Sequence, residues 1–272
     1  MIWTILILVL AIALYMFGGK FIKLGKKAST LDMIVHKGVS VISIILIAGC
    51  VARLWTPMYL TKVNPGILQQ MVSAMQAEQE AAKNKVVRAY VAKHADEMIG
   101  GAPIAGNVNA KNTIFLWSDY SCPYCRRVHG ELSRVLAERD DVRVVLKNFS
   151  IHGALSDAPA KAVIAAKIQD NAKAAALDRM LMDREYYTND DMKDQAKLPE
   201  KIQANVMKFA AEVGLDTAKL AEDMEGDVVN EELRNVRDLA QRFEITGTPY
   251  LIIGDKAFPG AVPYSTIIDA LK

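Results

Sequence analysis

Residues 113–125 read TIFLWSDYSCPYC, an apolar run set directly against a Cys-x-x-Cys. Thr113 to Ser118 is short, β-branched and aromatic, as a buried strand is. From Arg126 onward Val128, Leu132, Val135 and Leu136 keep helical spacing up to Arg139, where Asp140 and Asp141 turn the chain. Val142, Val144 and Leu146 then alternate with Arg143 and Val145 as a second strand. Strand, Cys-x-x-Cys, helix, strand is an α/β order that places Cys122 and Cys125 at a strand-to-helix corner.

That corner has chemical meaning. The thiolate, not the thiol, attacks disulfides, and the unpaired N–H groups of a helix N-terminus stabilise the anion. Cys122, in the first turn, receives this field, whereas Cys125 lies one turn deeper. Cys122 is therefore the candidate nucleophile and Cys125 the candidate resolving thiol. Pro123 costs nothing at the first helical position, where its missing N–H has no partner to lose. Cys122, Cys125 and His129 also offer three metal ligands. A closed zinc site needs four, and the chain holds no second Cys-x-x-Cys and no His-x-x-x-His. The expectation is no metal and no cofactor beyond the redox-active pair, with His129 and His152 as ordinary surface or packing residues.

Downstream, an alanine-rich stretch from about 154 to 243 shows no strand pattern. Helix starts are expected at Asp157 with Pro159 just inside, at Leu198-Pro199-Glu200, at Asp216-Thr217 and at Asp227. Residues 245–253 (ITGTPYLII) then run into Gly254-Asp255, a two-residue hairpin signal, followed by a strand from Lys256 to Phe258 and a short helix carrying Ile267, Ile268 and Leu271.

Upstream, Asn64-Pro65-Gly66 breaks the chain before a helix whose Leu68, Met71, Met75, Ala82 and Val86 form a narrow apolar stripe interrupted by Glu78. Such a stripe packs in cis or pairs with a copy of itself. Residues 100–107, rich in glycine, read as a linker. Residues 2–18 are an apolar run long enough to span a bilayer, and 39–52 are a second, shorter one. The lysine-dense loop between them stays cytoplasmic, so the N-terminus and everything after residue 56 are expected on the outer face. Ile47-Ala48-Gly49-Cys50 also matches a bacterial lipobox, better still if Met33 is the true start, which makes Cys50 a candidate lipidation site. A two-span anchor, a lipoprotein and a cleaved signal all export the rest of the chain. Outside residues 1–60 the chain has 27 basic and 30 acidic side chains, too few positive charges for a general nucleic-acid binder.

Asp119-Tyr120-Ser121-Cys122-Pro123-Tyr124-Cys125, the strand before it, the helical insertion and Thr246-Gly247-Thr248-Pro249 together resemble the DsbA-type branch of the thioredoxin superfamily over roughly residues 108–272. Residues 64–98 resemble the N-terminal oligomerisation helix of the ScsC-like (suppressor of copper sensitivity) members. The resemblance implies a thioredoxin fold with a helical insertion, divided as 1–60 anchor or signal, 61–107 helix and linker, and 108–272 catalytic domain. It further implies a cis Pro249 opposite the cysteines, with Thr248 pairing an extended substrate as an added strand. One departure stands out. Family members commonly carry a buried glutamate six residues before the first cysteine, and here that position is Leu116. Asp119, Lys147 or water are the available substitutes for proton transfer; Asp119 is equally a cap.

Tyr124, between the cysteines, brings a hydroxyl but no positive charge. A couple less oxidising than about −120 mV is expected, in the range of about −180 to −230 mV, with Arg126 and Arg127 opposing weakly as exposed charges. The expected function is extracytoplasmic disulfide exchange, isomerisation or oxidation, by an inner-membrane protein whose catalytic domain lies in the periplasm. Its partners would be unfolded or misoxidised secreted proteins, a membrane redox partner and further copies of itself through residues 64–98. The competing class is a copper-binding or assembly module on the same fold.

Overall fold

The structure, a computed structural model, describes residues 44, 45, 47–50 and 66–272. The expected spans 2–18 and 39–52 and the alternative start at Met33 fall wholly or partly outside the described residues. Among the described residues no helix is long and apolar enough to cross a membrane. Residues 44, 45 and 47–50 are helical, and Cys50 is a buried free thiol. The chain divides into two compact units, residues 1–78 and 79–272.

Helix α1 (Ile67–Ile99) runs through the boundary. In the first unit its Leu68, Met71, Val72 and Met75 are exposed. In the second unit the face that packs is not the expected stripe: Val86 is exposed and Val87 is buried. Val87 and the half-buried Tyr90 join Trp117 and Phe243 in one apolar cluster. The Asn84 side chain accepts the Ala257 N–H at 2.8 Å, so α1 also covers a sheet edge.

The second unit is built on a five-stranded sheet of β1 (Ile104–Gly106), β2 (Asn112–Ser118), β3 (Val142–Asn148), β4 (Tyr250–Ile253) and β5 (Lys256–Pro259), in the order β1-β3-β2-β4-β5. β2 and β3 are parallel, joined by α2 (Pro123–Glu138), and the other pairings are antiparallel. Both central strands are buried on two faces, which is why they read as continuous apolar runs. The hairpin turns at Gly254-Asp255, Gly254 taking φ +60.

Residues 104–106, expected in the linker, form an edge strand instead. The Asn171 side chain brackets Ile104, accepting its N–H at 2.9 Å and donating to its carbonyl at 2.8 Å. At Gly106, with φ +84, a Cβ would lie 2.6 Å from Leu136 Cδ2 and 2.9 Å from the Val142 carbonyl oxygen. Only glycine lets the strand approach this closely. The packed structure therefore begins before residue 108.

Between β3 and β4 come α3 (Asp157–Gln169), α4 (Asn171–Asp183), α5 (Leu198–Glu212), α6 (Thr217–Asp223) and α7 (Asp227–Arg242). Four of these starts carry the expected signals. The start of α4 was not anticipated: Asp170 caps it, accepting from Ala172 and Lys173 N–H at 2.7 and 3.1 Å. The alanines of α3 are buried against the other insertion helices, whose core includes Leu177, Ile202, Val206 and Leu220. Helix α7 belongs to both layers. Its Val229 lies in that core, while Val236, Leu239 and Ala240 pack on the sheet with Trp117. The opposite sheet face is covered by α2 and by α8 (Tyr264–Ala270).

Candidate active site

Cys122 is the N-cap of α2 in extended conformation, and Pro123 occupies the first turn. Cys122 is 5% exposed and Cys125 fully buried; both thiols are free. Around Cys122 the surface carries Pro123, Tyr124, Thr246 and Gly247, all exposed. Tyr124 is 57% exposed, and the Arg127 guanidinium lies 5.7 Å from its ring centre. Arg126 is different from the free surface charge expected. It is half-buried and donates to the Met182 and Arg184 carbonyls at 2.7 and 3.2 Å, fastening α2 to the insertion.

The Thr248–Pro249 peptide is cis, and the Thr248 carbonyl oxygen lies 3.5 Å from Cys122 Sγ. The Thr248 hydroxyl is buried without a well-formed hydrogen bond of its own and stands close enough to Cys125 to favour its anion. The Asp119 N–H reaches Cys125 Sγ at 3.5 Å, and the Ser118 hydroxyl also favours the anion. Burial outweighs all of these, and the Cys125 thiol is pushed up to about 12.

Asp119 is fully engaged as an anchor. Its carboxylate accepts from Ser121 N–H at 2.8 Å, Ser156 Oγ at 2.5 Å and Ile151 N–H at 2.8 Å, with His152 Nδ1 at 3.0 Å. Burial favours the neutral acid, but the bonds from Ser156, Ile151, His152 and Ser121 prevail and hold Asp119 below the ordinary carboxylate value. The carboxylate thus ties residues 151–156 to the active-site turn, and only its backbone meets a sulfur.

Lys147 does not serve the cysteines either. It is in register with Trp117, on the sheet face opposite Leu116 and Leu146, which pack under α2. There its Nζ pairs with Glu232 Oε1 at 2.7 Å and donates to Asn235 Oδ1 at 3.0 Å.

His129 is neither a surface residue nor a free ligand. It is buried on α2 one turn after Cys125, with Nε2 3.2 Å from Ser118 Oγ and Nδ1 3.4 Å from Asp178 Oδ2. Its partners are Ser118 and Asp178 rather than the cysteines. Tyr120 donates to Asp178 Oδ1 at 2.8 Å and lies 3.0 Å from Asn148 Oδ1. Burial lowers the His129 pKa and raises that of Asp178. The four-residue spacing of Cys125 and His129 on one helix face was readable from the sequence; Asp178, on another helix, was not.

Residues 99–272 match the family described as Thioredoxin. Among solved structures, a thioredoxin-like oxidoreductase from Silicibacter pomeroyi DSS-3 is 32% identical with a TM-score of 0.55, covering 65% of this chain and 94% of its own. The catalytic domain of Proteus mirabilis ScsC is 25% identical with a TM-score of 0.55, covering 68% and 96%. Disulfide bond formation protein D of Bacillus subtilis (strain 168) is 24% identical over 199 residues, 70% of this chain and 84% of that protein. With its sheet order, its helix-capping Cys-x-x-Cys and its facing cis-proline, the chain belongs to the thioredoxin family and stands there with the DsbA-like and ScsC proteins.

Proposed function

We propose that this protein is an extracytoplasmic thiol-disulfide oxidoreductase that catalyses disulfide exchange in secreted proteins, leaning to isomerisation. Cys122 attacks and forms the mixed disulfide; Cys125 resolves it; the pair is the only redox group required. The observation that carries this reading is the asymmetry of the two thiols. Cys122 caps a helix beside the accessible Thr246–Thr248 segment, and Cys125, fully buried, has its thiol pushed up to about 12. A chemically quiet resolving thiol lets mixed disulfides live long enough to reshuffle.

Thr248, half-exposed ahead of the cis-proline, is the substrate-pairing backbone, and Pro123 and Tyr124 tune the couple. Residues 1–60 tether the domain to the inner membrane, with Cys50 as the lipidation site if the lipobox is used, and the catalytic domain works in the periplasm. Unfolded or misoxidised secreted proteins are the substrates and a membrane protein resets the pair. The exposed Leu68, Met71, Val72 and Met75 support self-association through residues 64–98.

The test is refolding of scrambled ribonuclease against oxidation of reduced ribonuclease by the full chain in detergent. Reshuffling lost in Cys122→Ser is expected. Vigorous oxidation with no reshuffling would overturn the isomerising half, and activity retained by Cys122→Ser would overturn the whole.

A further inference from the structure

Cys125 must lose a proton to resolve a mixed disulfide, and its surroundings make that loss hard. The carboxylate that the family resemblance implies six residues before Cys122 is replaced by Leu116, Asp119 is saturated with donors, and Lys147 is on the far face. Behind the thiol, however, three side chains from three elements meet. Ser118 of β2 directly precedes Asp119, whose N–H reaches Cys125 Sγ at 3.5 Å, and its hydroxyl lies 3.2 Å from His129 Nε2 of α2, whose Nδ1 is 3.4 Å from Asp178 of α4. His129 and Asp178 also line a cavity of about 370 Å³ between α2 and α4, together with Leu116, Ser133 and the exposed Ala176 and Arg179. One end of the chain lies beside the residue that meets the sulfur, and the other lines a cavity with exposed residues at its rim.

We propose that Ser118, His129 and Asp178 form a proton relay that deprotonates Cys125 during resolution and discharges through this cavity. The relay rests on the reading of Cys125 as the resolving thiol. The Cys125 S–H gives its proton to Ser118 Oγ as Ser118 gives its own to His129 Nε2, leaving an imidazolium whose Nδ1–H faces the Asp178 carboxylate. The Cys125 sulfur attacks Cys122 Sγ, and the new sulfur–sulfur bond forms as the bond from Cys122 to the substrate sulfur breaks. That sulfur leaves with the electron pair as a thiolate, so it is reduced while the cysteine pair is oxidised. His129 returns its proton to water in the cavity.

The charges around His129 suit an acceptor. Burial is the largest influence and keeps the imidazole neutral; Asp178 and Asp183 of α4 favour the imidazolium, and Arg126 on its own helix opposes it. Tyr120 donates to Asp178, and Arg179 offsets its charge. In the relay Ser118 is the group that takes the thiol proton, and His129 and Asp178 are positioning residues that act through it.

The test is the two-phase reaction of the reduced full chain with dithiobis-nitrobenzoate, followed by stopped flow across pH. Cys122 releases the first coloured thiolate and Cys125 the second; Cys125→Ser supplies the background, including Cys50. Ser118→Ala and His129→Gln are expected to slow the second phase about a hundredfold at neutral pH and leave the first unchanged. In the unaltered chain the second phase should fall with an inflection below the ordinary imidazole value of about 6.5, because burial lowers that of His129, and the variants should lose that inflection. Ser118→Thr, which keeps the hydroxyl, should restore the rate. Should His129→Gln not fold, Ser118→Ala, which removes a single oxygen, decides alone. An unchanged second phase, an unchanged pH profile or equal slowing of both phases overturns the relay. Absence of any Cys125-dependent second phase in the unaltered chain instead overturns the resolving role of Cys125 itself.

Discussion

Lys147 and His129 are buried on opposite faces of the same sheet, and each has an acidic partner from a helix. On the face covered by α1 and α7, Lys147 Nζ meets Glu232, Asn235 and the Ile99 carbonyl, while the second Glu232 oxygen accepts the Gly101 N–H at 2.8 Å. Those bonds close on one another. On the face covered by α2, Tyr120 donates to Asp178, yet the His129–Asp178 pair continues on one side to the Ser118 hydroxyl and on the other lines a cavity. A closed ionic knot fixes a helix in place; an open-ended one has somewhere to send a proton. Burial and charge alone do not separate structural from chemical groups; the connectivity of their hydrogen bonds does.

Breaking the closed face should produce the largest change in stability. Glu232→Ala leaves a buried ammonium without its counter-charge and should cost about 3–5 kcal/mol in denaturant unfolding, with exchange per folded molecule unaltered. Pairing it with Lys147→Met should recover most of the loss. On the open face, Asp178→Asn keeps the shape and removes the charge. It should cost about 1–3 kcal/mol, and unlike Glu232→Ala it should slow the Cys125 step in stopped flow.

Asp119, between the two, sharpens the comparison through pH. Its folded pKa lies below the unfolded value, so it contributes stability that is fully present above about pH 4 and is lost as pH falls through the depressed folded value. Asp119→Asn should flatten acid unfolding in that window. The smallest effect belongs to Val86→Ala, within about 0.5 kcal/mol, because Val86 faces outward; its neighbour, Val87→Ala, should cost about 1–2 kcal/mol.

The sheet strands, the strand-to-helix placement of the Cys-x-x-Cys and four insertion helices are legible in the sequence because each has a local cause: alternation or an apolar run for strands, a capping Asp or an early Pro for helices. What escaped depends on distant partners. β1 is three residues long and exists through the Asn171 side chain and through Gly106's closeness to Leu136, neither of which leaves a periodic mark. The packing face of α1 was read one position off, because its buried surface is set by Phe243 and by the β5 edge rather than by its own stripe. At the site, Cys122, Cys125, Thr248 and Pro249 come together around one sulfur, whereas the roles of Ser118, Asp178 and Glu232 arise from chain segments far apart in sequence. His129, expected as a surface or packing residue, is a packed one, and its partners Ser118 and Asp178 come from other elements that a lone histidine on a helix does not announce.

Cys122 and Cys125 lie in the same apolar cluster as Leu177, Ile202 and Leu220 of the insertion. Folding and reduction therefore form a thermodynamic box: whatever separates the stability of the dithiol and disulfide states also separates the folded couple's potential from that of the unfolded chain. A two-electron couple moves about 30 mV for each 1.4 kcal/mol, so a change in helix packing well away from the corner that bears unequally on the two states retunes the redox poise. In the proposed function the dipeptide between the cysteines is one dial on that poise, and the insertion is a second.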